Sequence, residues 1–325
     1  MGQFIRKQIL PIGIVCILCG FIYVCMLMFF WPDDVSASRV EKRHIFGATY
    51  MTMNNPYYDV LDQRLREQIE ANGDVLLKRD AAMNQQRQNE EIQELVNAGA
   101  ELIFMVPVEW DTALQGLQIA ANAGVPVIIL DAPVQDTNLV ASSIISDNYT
   151  AGVLCAEHLL AEKECGKILL LEHTTAYSGK ERIQGFTDTI AQHPEFEIVG
   201  SGQSDGQIEN AMEVTASLLN EHPEADVVMA LNDPSAFGAM AAIEGAGMSG
   251  KVSVYSVDGS PEAKALIHEN VMTASCAQFP YKVALKAVED GYKLIQGKEV
   301  DKMTIIPVKL ITKENVDQYD LTGWQ

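Results

Sequence analysis

Planar, multidentate hydrogen-bonding side chains recur where the apolar runs of this 325-residue chain stop. Asn54-Asn55 follow the first such run, and Asp131 closes Ile128-Ile129-Leu130. Asn232-Asp233 follow Met229-Ala230-Leu231, Asp258 closes Val254-Tyr255-Ser256-Val257, and Gln278 follows Ala274-Ser275-Cys276-Ala277. Carboxylates and carboxamides suit vicinal hydroxyls, each of which both donates and accepts. Tyr57 and Tyr58 stand beside the first of these positions and offer aromatic planes for the C–H faces of a cyclic polyol. A structural role is open to several of them as well. Asn55 fits the cap of a helix starting at Pro56, Asp233 the cap of one starting at Pro234, and Asp131 a turn before Pro133.

Other chemistries lack their residues. The chain has no GxSxG elbow, no HExxH, no Walker loop and no GxGxxG opening a helix, so an enzyme is not expected. His158, His173, His193, His222 and His268 have no ligand-like spacing, and their default is a solvated or helix-terminal place. No cofactor and no metal is expected. Six cysteines at wide or membrane-like spacing do not read as a disulfide framework.

Charge and the N-terminal residues set the compartment. Ile9 to Trp31 is a run of 23 residues without a charge, long enough as a helix to cross a hydrocarbon core of about 30 Å. Arg6 and Lys7 precede it and Asp33 and Asp34 follow, so residues 1–8 are expected in the cytoplasm and the remainder outside. The run reads as an uncleaved anchor, with a signal segment cleaved after Ala37 as the alternative. Removing the two basic charges from the net −21 leaves −23 on the rest, a surface that repels nucleic acid.

The polar positions need a scaffold that gathers strand ends. After a linker over 32–43, short apolar runs alternate with stretches of helical spacing, the signature of parallel βα units. Leu102–Val106, Val127–Leu130, Ile168–Leu171 and Val227–Ala230 are continuous runs, as expected for strands covered on both faces. Tyr57, Leu61, Leu65 and Ile69 make a core-facing stripe, as do Ile183, Phe186 and Ile190. Ser178 and Glu181 fit a capping box. About five βα units run to Ser146 and a similar series to Ala277, too many strands for one twisted sheet, which argues for two α/β lobes. In open α/β sheets ligands lie beyond the carboxyl ends of the strands, where the polar positions stand.

Taken in order, Asn54-Asn55-Pro56-Tyr57-Tyr58, Ile129-Leu130-Asp131, Ser146-Asp147-Asn148, Lys180–Phe186, Leu231-Asn232-Asp233, Val257–Pro261 and Ala277–Pro280 resemble the ribose-type periplasmic sugar-binding proteins, type I fold, from about His44 to Lys313. The resemblance implies two Rossmann-like lobes with parallel sheets joined by three hinge crossovers, near Ser146-Asp147, Gln278-Phe279 and Ile306-Pro307. Lobe 1 is then 44–146 plus 279–306, and lobe 2 is 147–278 plus 307–325. It further implies that Asn55, Asp131, Arg182, Asn232, Asp258 and Gln278 hydrogen-bond the ligand, with Tyr57 and Tyr58 as the aromatic pair.

Two carboxylates in a closed cleft require a counter-charge, which Arg182 would supply. The implied partners are a sugar or polyol and an ABC permease, or alternatively a sensor kinase or chemoreceptor, and a monomer is expected. Val106, Ala132 and Gly206 depart from the ribose binder's pattern, and Trp110 is a candidate aromatic wall.

Overall fold

A computed structural model describes residues 18–26 and 43–325. Residues 18–26 are helical and their apolar side chains are exposed. Among the described residues no helix is long and apolar enough to cross a membrane, and most of the run 9–31 lies outside them, as do residues 1–8 and nearly all of the linker. Residues 44–325 form one compact unit.

That unit contains two sheets of six strands. The first sheet uses β1 (Ile45–Tyr50), β2 (Val75–Asp80), β3 (Leu102–Met105), β4 (Val127–Asp131), β5 (Ser142–Ser146) and β11 (Met303–Ile306), in the order β11-β5-β4-β3-β1-β2. All its pairs are parallel. The second uses β6 (Gly166–Glu172), β7 (Phe196–Gln203), β8 (Val227–Ala230), β9 (Ser253–Asp258), β10 (Ala274–Ala277) and β12 (Lys309–Thr312), in the order β12-β10-β9-β8-β6-β7. Only its edge pair β10–β12 is antiparallel. The first five strands of each series thus follow the same 2-1-3-4-5 order, a repeat of one architecture.

The chain passes between the sheets three times: after β5, between β10 and the helix that follows it, and between β11 and β12. Helices α1 (Pro56–Ala71), α2 (Gln85–Asn97), α3 (Leu114–Asn122) and α9 (Pro280–Ile295) cover the first sheet. Helices α4 (Asn148–Glu162), α5 (Tyr177–Ile190), α6 (Ile208–Glu221), α7 (Asp233–Gly245) and α8 (Pro261–His268) cover the second. Both faces of each sheet carry a core, which explains the continuous apolar runs. In β3, Leu102 and Phe104 pack on the α1/α9 side while Ile103 and Met105 pack on the α2/α3 side. Leu61, Leu65 and Ile69 of α1 are fully buried, each contributing about 1.5–3 kcal/mol by removal from water.

Local chemistry departs from expectation at two helix starts. Helix α5 begins at Tyr177, with Ala176 at the cap position and no side-chain cap bond, so Ser178 and Glu181 form no capping box. Helix α7 is capped by Asn232, whose Oδ1 accepts from the Ser235 N–H, so Asp233 is its first residue and not its cap.

Candidate functional site

The carboxyl ends of both sheets face one polar cavity. All eight positions singled out in the sequence line it: Asn55, Tyr57, Tyr58, Asp131, Arg182, Asn232, Asp258 and Gln278. Asn55 and the two tyrosines come from the start of α1. Asp131 and Asp258 end β4 and β9, Asn232 and Gln278 follow β8 and β10, and Arg182 lies on α5.

Arg182 is buried between the two carboxylates. Its Nη2 stands 3.9 Å from Asp131 Oδ1 and its Nη1 3.7 Å from Asp258 Oδ1. It is held there by Nε donating to Asn148 Oδ1 at 2.9 Å and Nη1 donating to the Leu231 carbonyl at 3.0 Å. Helices α4 and α5 approach closely enough to make this placement because Gly152 and Gly185 leave backbone facing backbone. Arg182 is 3% exposed, so its charge is not a solvated surface charge.

Asp131 accepts a hydrogen bond from the Tyr58 hydroxyl at 3.0 Å, and Asp258 Oδ1 accepts from Gln278 Nε2 at 2.6 Å. Burial raises the pKa of both carboxyls, Arg182 opposes the rise, and at Asp258 the neighbouring Asp233 adds to it. Both aspartates adopt positive φ, +69° at Asp131 and +141° at Asp258. Such backbone costs about 1–3 kcal/mol per residue and concentrates at ligand sites.

Several polar atoms in the cavity wall are left without a hydrogen-bond partner. Asp131 Oδ1 and Gln278 Oε1 are buried and accept no hydrogen bond. The hydroxyls of Tyr57 and of Ser146 are likewise buried without a hydrogen-bond partner. Each such group costs about 1–3 kcal/mol when buried unpaired, a cost that a hydroxyl-rich ligand would remove. The rings of Tyr57 and Tyr58 meet edge to face with centroids 5.5 Å apart.

Asn55 and Asn232 combine both readings considered for them. The Oδ1 of Asn55 accepts from the Tyr57 N–H, capping α1, while the residue lines the cavity. Asn232 uses Oδ1 for its cap and Nδ2 for the Gly206 carbonyl at 3.2 Å. Asp233, completely buried, accepts from the hydroxyls of Ser256 and Ser275 and from the Ser260 N–H, which gives it a structural role.

The cavity also contains residues that sequence reasoning missed, among them Thr52, His173, Ser178, Asp205 and Gln207. His173 is 4% exposed, contrary to the solvated place expected for it, and burial lowers its pKa. It follows β6 at the strand's carboxyl end, a position that the strand-end rule would have flagged. Trp110 is not part of the wall. Its ring packs on Tyr177 with centroids 5.0 Å apart, Lys180 Nζ lies 5.0 Å from the ring centre, and the Trp110 backbone N–H donates to the Thr175 carbonyl. Trp110 thereby ties the two lobes together at the rim. Val106 and Ala132 are buried outside the cavity lining, and Gly206 lies within it. Among the described residues no group of histidine, cysteine and acidic side chains is arranged to hold a metal.

A polar cavity at the carboxyl ends of two like sheets, with each lobe supplying part of the wall, defines a two-lobed solute-binding protein. Residues 46–299 match the family model described as a periplasmic binding protein domain, and the chain belongs to that family. It is similar to the ribose import binding protein RbsB of Escherichia coli, 28% identical over 282 residues that cover 86% of this chain and 94% of that protein. It is also similar to the D-apiose import binding protein of Paraburkholderia graminis, 26% identical and covering 82% and 87% of the two chains. Among solved structures, an ABC transporter solute-binding protein of Mycobacterium smegmatis with bound glycerol superposes with a TM-score of 0.81 at 26% identity, covering 87% of this chain and 98% of that one. These relatives are solute-binding proteins, and this chain is one of them and not an enzyme.

Proposed function

We propose that this protein binds a sugar or small polyol in the cleft between its lobes, outside the cytoplasm, and delivers it to the permease of an ABC importer. The observation that carries this reading is the set of buried polar atoms without a hydrogen-bond partner on Tyr57, Asp131 and Gln278, all on residues lining one cavity. Sugar hydroxyls donate to Asp131 and Asp258 and accept from Arg182, while the rings of Tyr57 and Tyr58 cover the C–H face of the ligand. The relatives bind ribose, D-apiose and glycerol by their names, which indicates the size of ligand to try first.

Only an arrangement with the lobes together lets Asp131 of one sheet and Asp258 of the other reach one ligand with Arg182 between them. Ligand binding therefore favours closure about the three crossovers, because a ligand shifts an equilibrium by its difference in affinity for the two states. The apolar run 9–31, with Arg6 and Lys7 before it, supports a tether that keeps delivery local to the membrane.

A thermal-shift screen of the protein against ribose, apiose, allose, arabinose, inositol and glycerol tests the ligand class, since a ligand that binds only the native state raises the melting temperature. A concentration-dependent rise with at least one of them is expected. No rise with any carbohydrate or polyol, at millimolar concentration, contradicts the reading.

A further inference from the structure

The last residues of the sequence fold back behind the cleft and touch it from outside the cavity. Lys264 of α8 is 1% exposed. Its ammonium donates to the carbonyls of Asp320 at 2.6 Å and Gly323 at 2.5 Å and to Gln325 Oε1 at 3.2 Å. That last contact turns the Gln325 amide so that Nε2 donates to the Gln278 carbonyl at 2.7 Å and the Asp258 carbonyl at 3.2 Å. The same Asp258 carbonyl accepts from the Gln278 N–H at 3.0 Å. Gln325 thus joins the backbones of the two residues whose side chains are bonded to each other in the cavity wall.

Next to it, Trp324 reaches the other lobe. Its ring meets Tyr57 edge to face, with centroids 5.9 Å apart, and it packs against the core of the first lobe. Trp324 also walls an apolar hollow that borders Asn55 and Asp258. The neighbours of Trp324 in the chain are held by Lys264 on the second lobe, so this contact exists only while the lobes are together.

We propose that residues 320–325 form a strap that positions the ligand-binding groups: Lys264 anchors it, Gln325 sets the backbone of Asp258 and Gln278, and Trp324 braces Tyr57 on closure. Gln325 is a positioning residue, since it acts through Asp258 and Gln278 and does not line the cavity. The proposal rests on the reading of the cleft as the ligand site, and its test separates the two.

The test compares the parent with Gln325→Ala and with Gln325→Glu, which keeps an oxygen for Lys264 but replaces the donor to the two carbonyls by an acceptor. Backbone hydrogen exchange is first measured without any sugar on peptides covering residues 256–279. Faster exchange in both variants, at the Gln278 amide above all, is expected while far-UV circular dichroism is unchanged. Binding of whichever of ribose, apiose, allose, arabinose, inositol and glycerol shifts the parent most is then titrated, and a Kd weaker by about fivefold or more is expected in both variants. Exchange equal to the parent's, or faster exchange with unchanged affinity, overturns the strap. If the parent binds none of these probes, the reading of the cleft falls, and the exchange measurement alone decides whether Gln325 holds this backbone.

Discussion

A Cβ placed on Gly152 would lie 1.9 Å from the carbonyl oxygen of Arg182, so α4 and α5 meet backbone to backbone at the residue that bridges the two cleft carboxylates. On the same interface a Cβ on Gly185 would lie 2.1 Å from the Tyr149 carbonyl oxygen. Both glycines are required by close approach, and that approach sets the depth of Arg182 in the cleft.

Gly152→Ala is therefore expected to push α5 outward, destabilise the fold by roughly 1–3 kcal/mol as overpacked cores do, and weaken ligand binding beyond that loss. Urea melts read the first effect and titration of the folded protein the second. Gly245→Ala serves as the control, because nothing lies within 4 Å of the added methyl and the change should leave binding untouched. Equal behaviour of the two variants would contradict the assignment.

Removing the charge from either cleft aspartate without changing its shape separates binding from folding. Asp131→Asn and Asp258→Asn are each expected to weaken the ligand by about 1.5–3 kcal/mol, the worth of a hydrogen bond to a charged group, which is roughly 10- to 100-fold in Kd. Calorimetric titration checks this, and parental affinity in both would remove these residues from the site.

Asp233 should behave in the opposite way. It accepts from two serine hydroxyls and one backbone N–H and has no exposed surface. Asp233→Ala leaves those donors unsatisfied, and a stability loss of several kcal/mol, about 1–3 for each orphaned group, is expected in denaturant melts. A normal melt would show that the buried carboxylate is dispensable to the fold.

The pH dependence has a definite sign. Burial raises the pKa of Asp131 and Asp258 in the folded protein, while the unfolded chain titrates near the ordinary value of 3.8. The folded state then binds more protons, so the stability these groups contribute is full below that value and is lost as pH rises through their raised values. Hydroxyl donors of a sugar favour the ionised carboxylates, so affinity should move the other way and fall as pH is lowered. Titrations at successively lower pH, all above the ordinary carboxyl value of 3.8, should show Kd rising in the parent and less so in Asp258→Asn. A flat parent profile would contradict the ligand's use of these carboxylates.

The double βα architecture could be read from the sequence because covered strands write themselves as continuous apolar runs and helices as stripes such as Tyr57-Leu61-Leu65-Ile69. Five of the cavity residues, Asn55, Asp131, Asn232, Asp258 and Gln278, were legible for a related reason: in parallel sheets the strand ends converge, so polar types that interrupt apolar runs gather in space. Arg182, on a helix, came only from the resemblance to the family. Other features had no such local signal. The burial of Asp233 depends on Ser256 and Ser275 in neighbouring strands, and the start of α5 lacks any side-chain cap, which hid the place of Ser178 in the wall. Trp110 was misplaced because its partners, Thr175, Tyr177 and Lys180, stand on the opposite lobe. The contacts of Gln325 with Asp258 and Gln278 span 67 and 47 residues, beyond any periodicity.

The most direct test of the central claim is an isothermal titration of the protein with the sugar or polyol that most raises its melting temperature, run in parallel on Asp131→Asn with Asp258→Asn combined. One site per chain in the parent and no detectable heat of binding in the folded double variant is the predicted result. Binding of the double variant with the parent's affinity would place the ligand elsewhere and contradict the account.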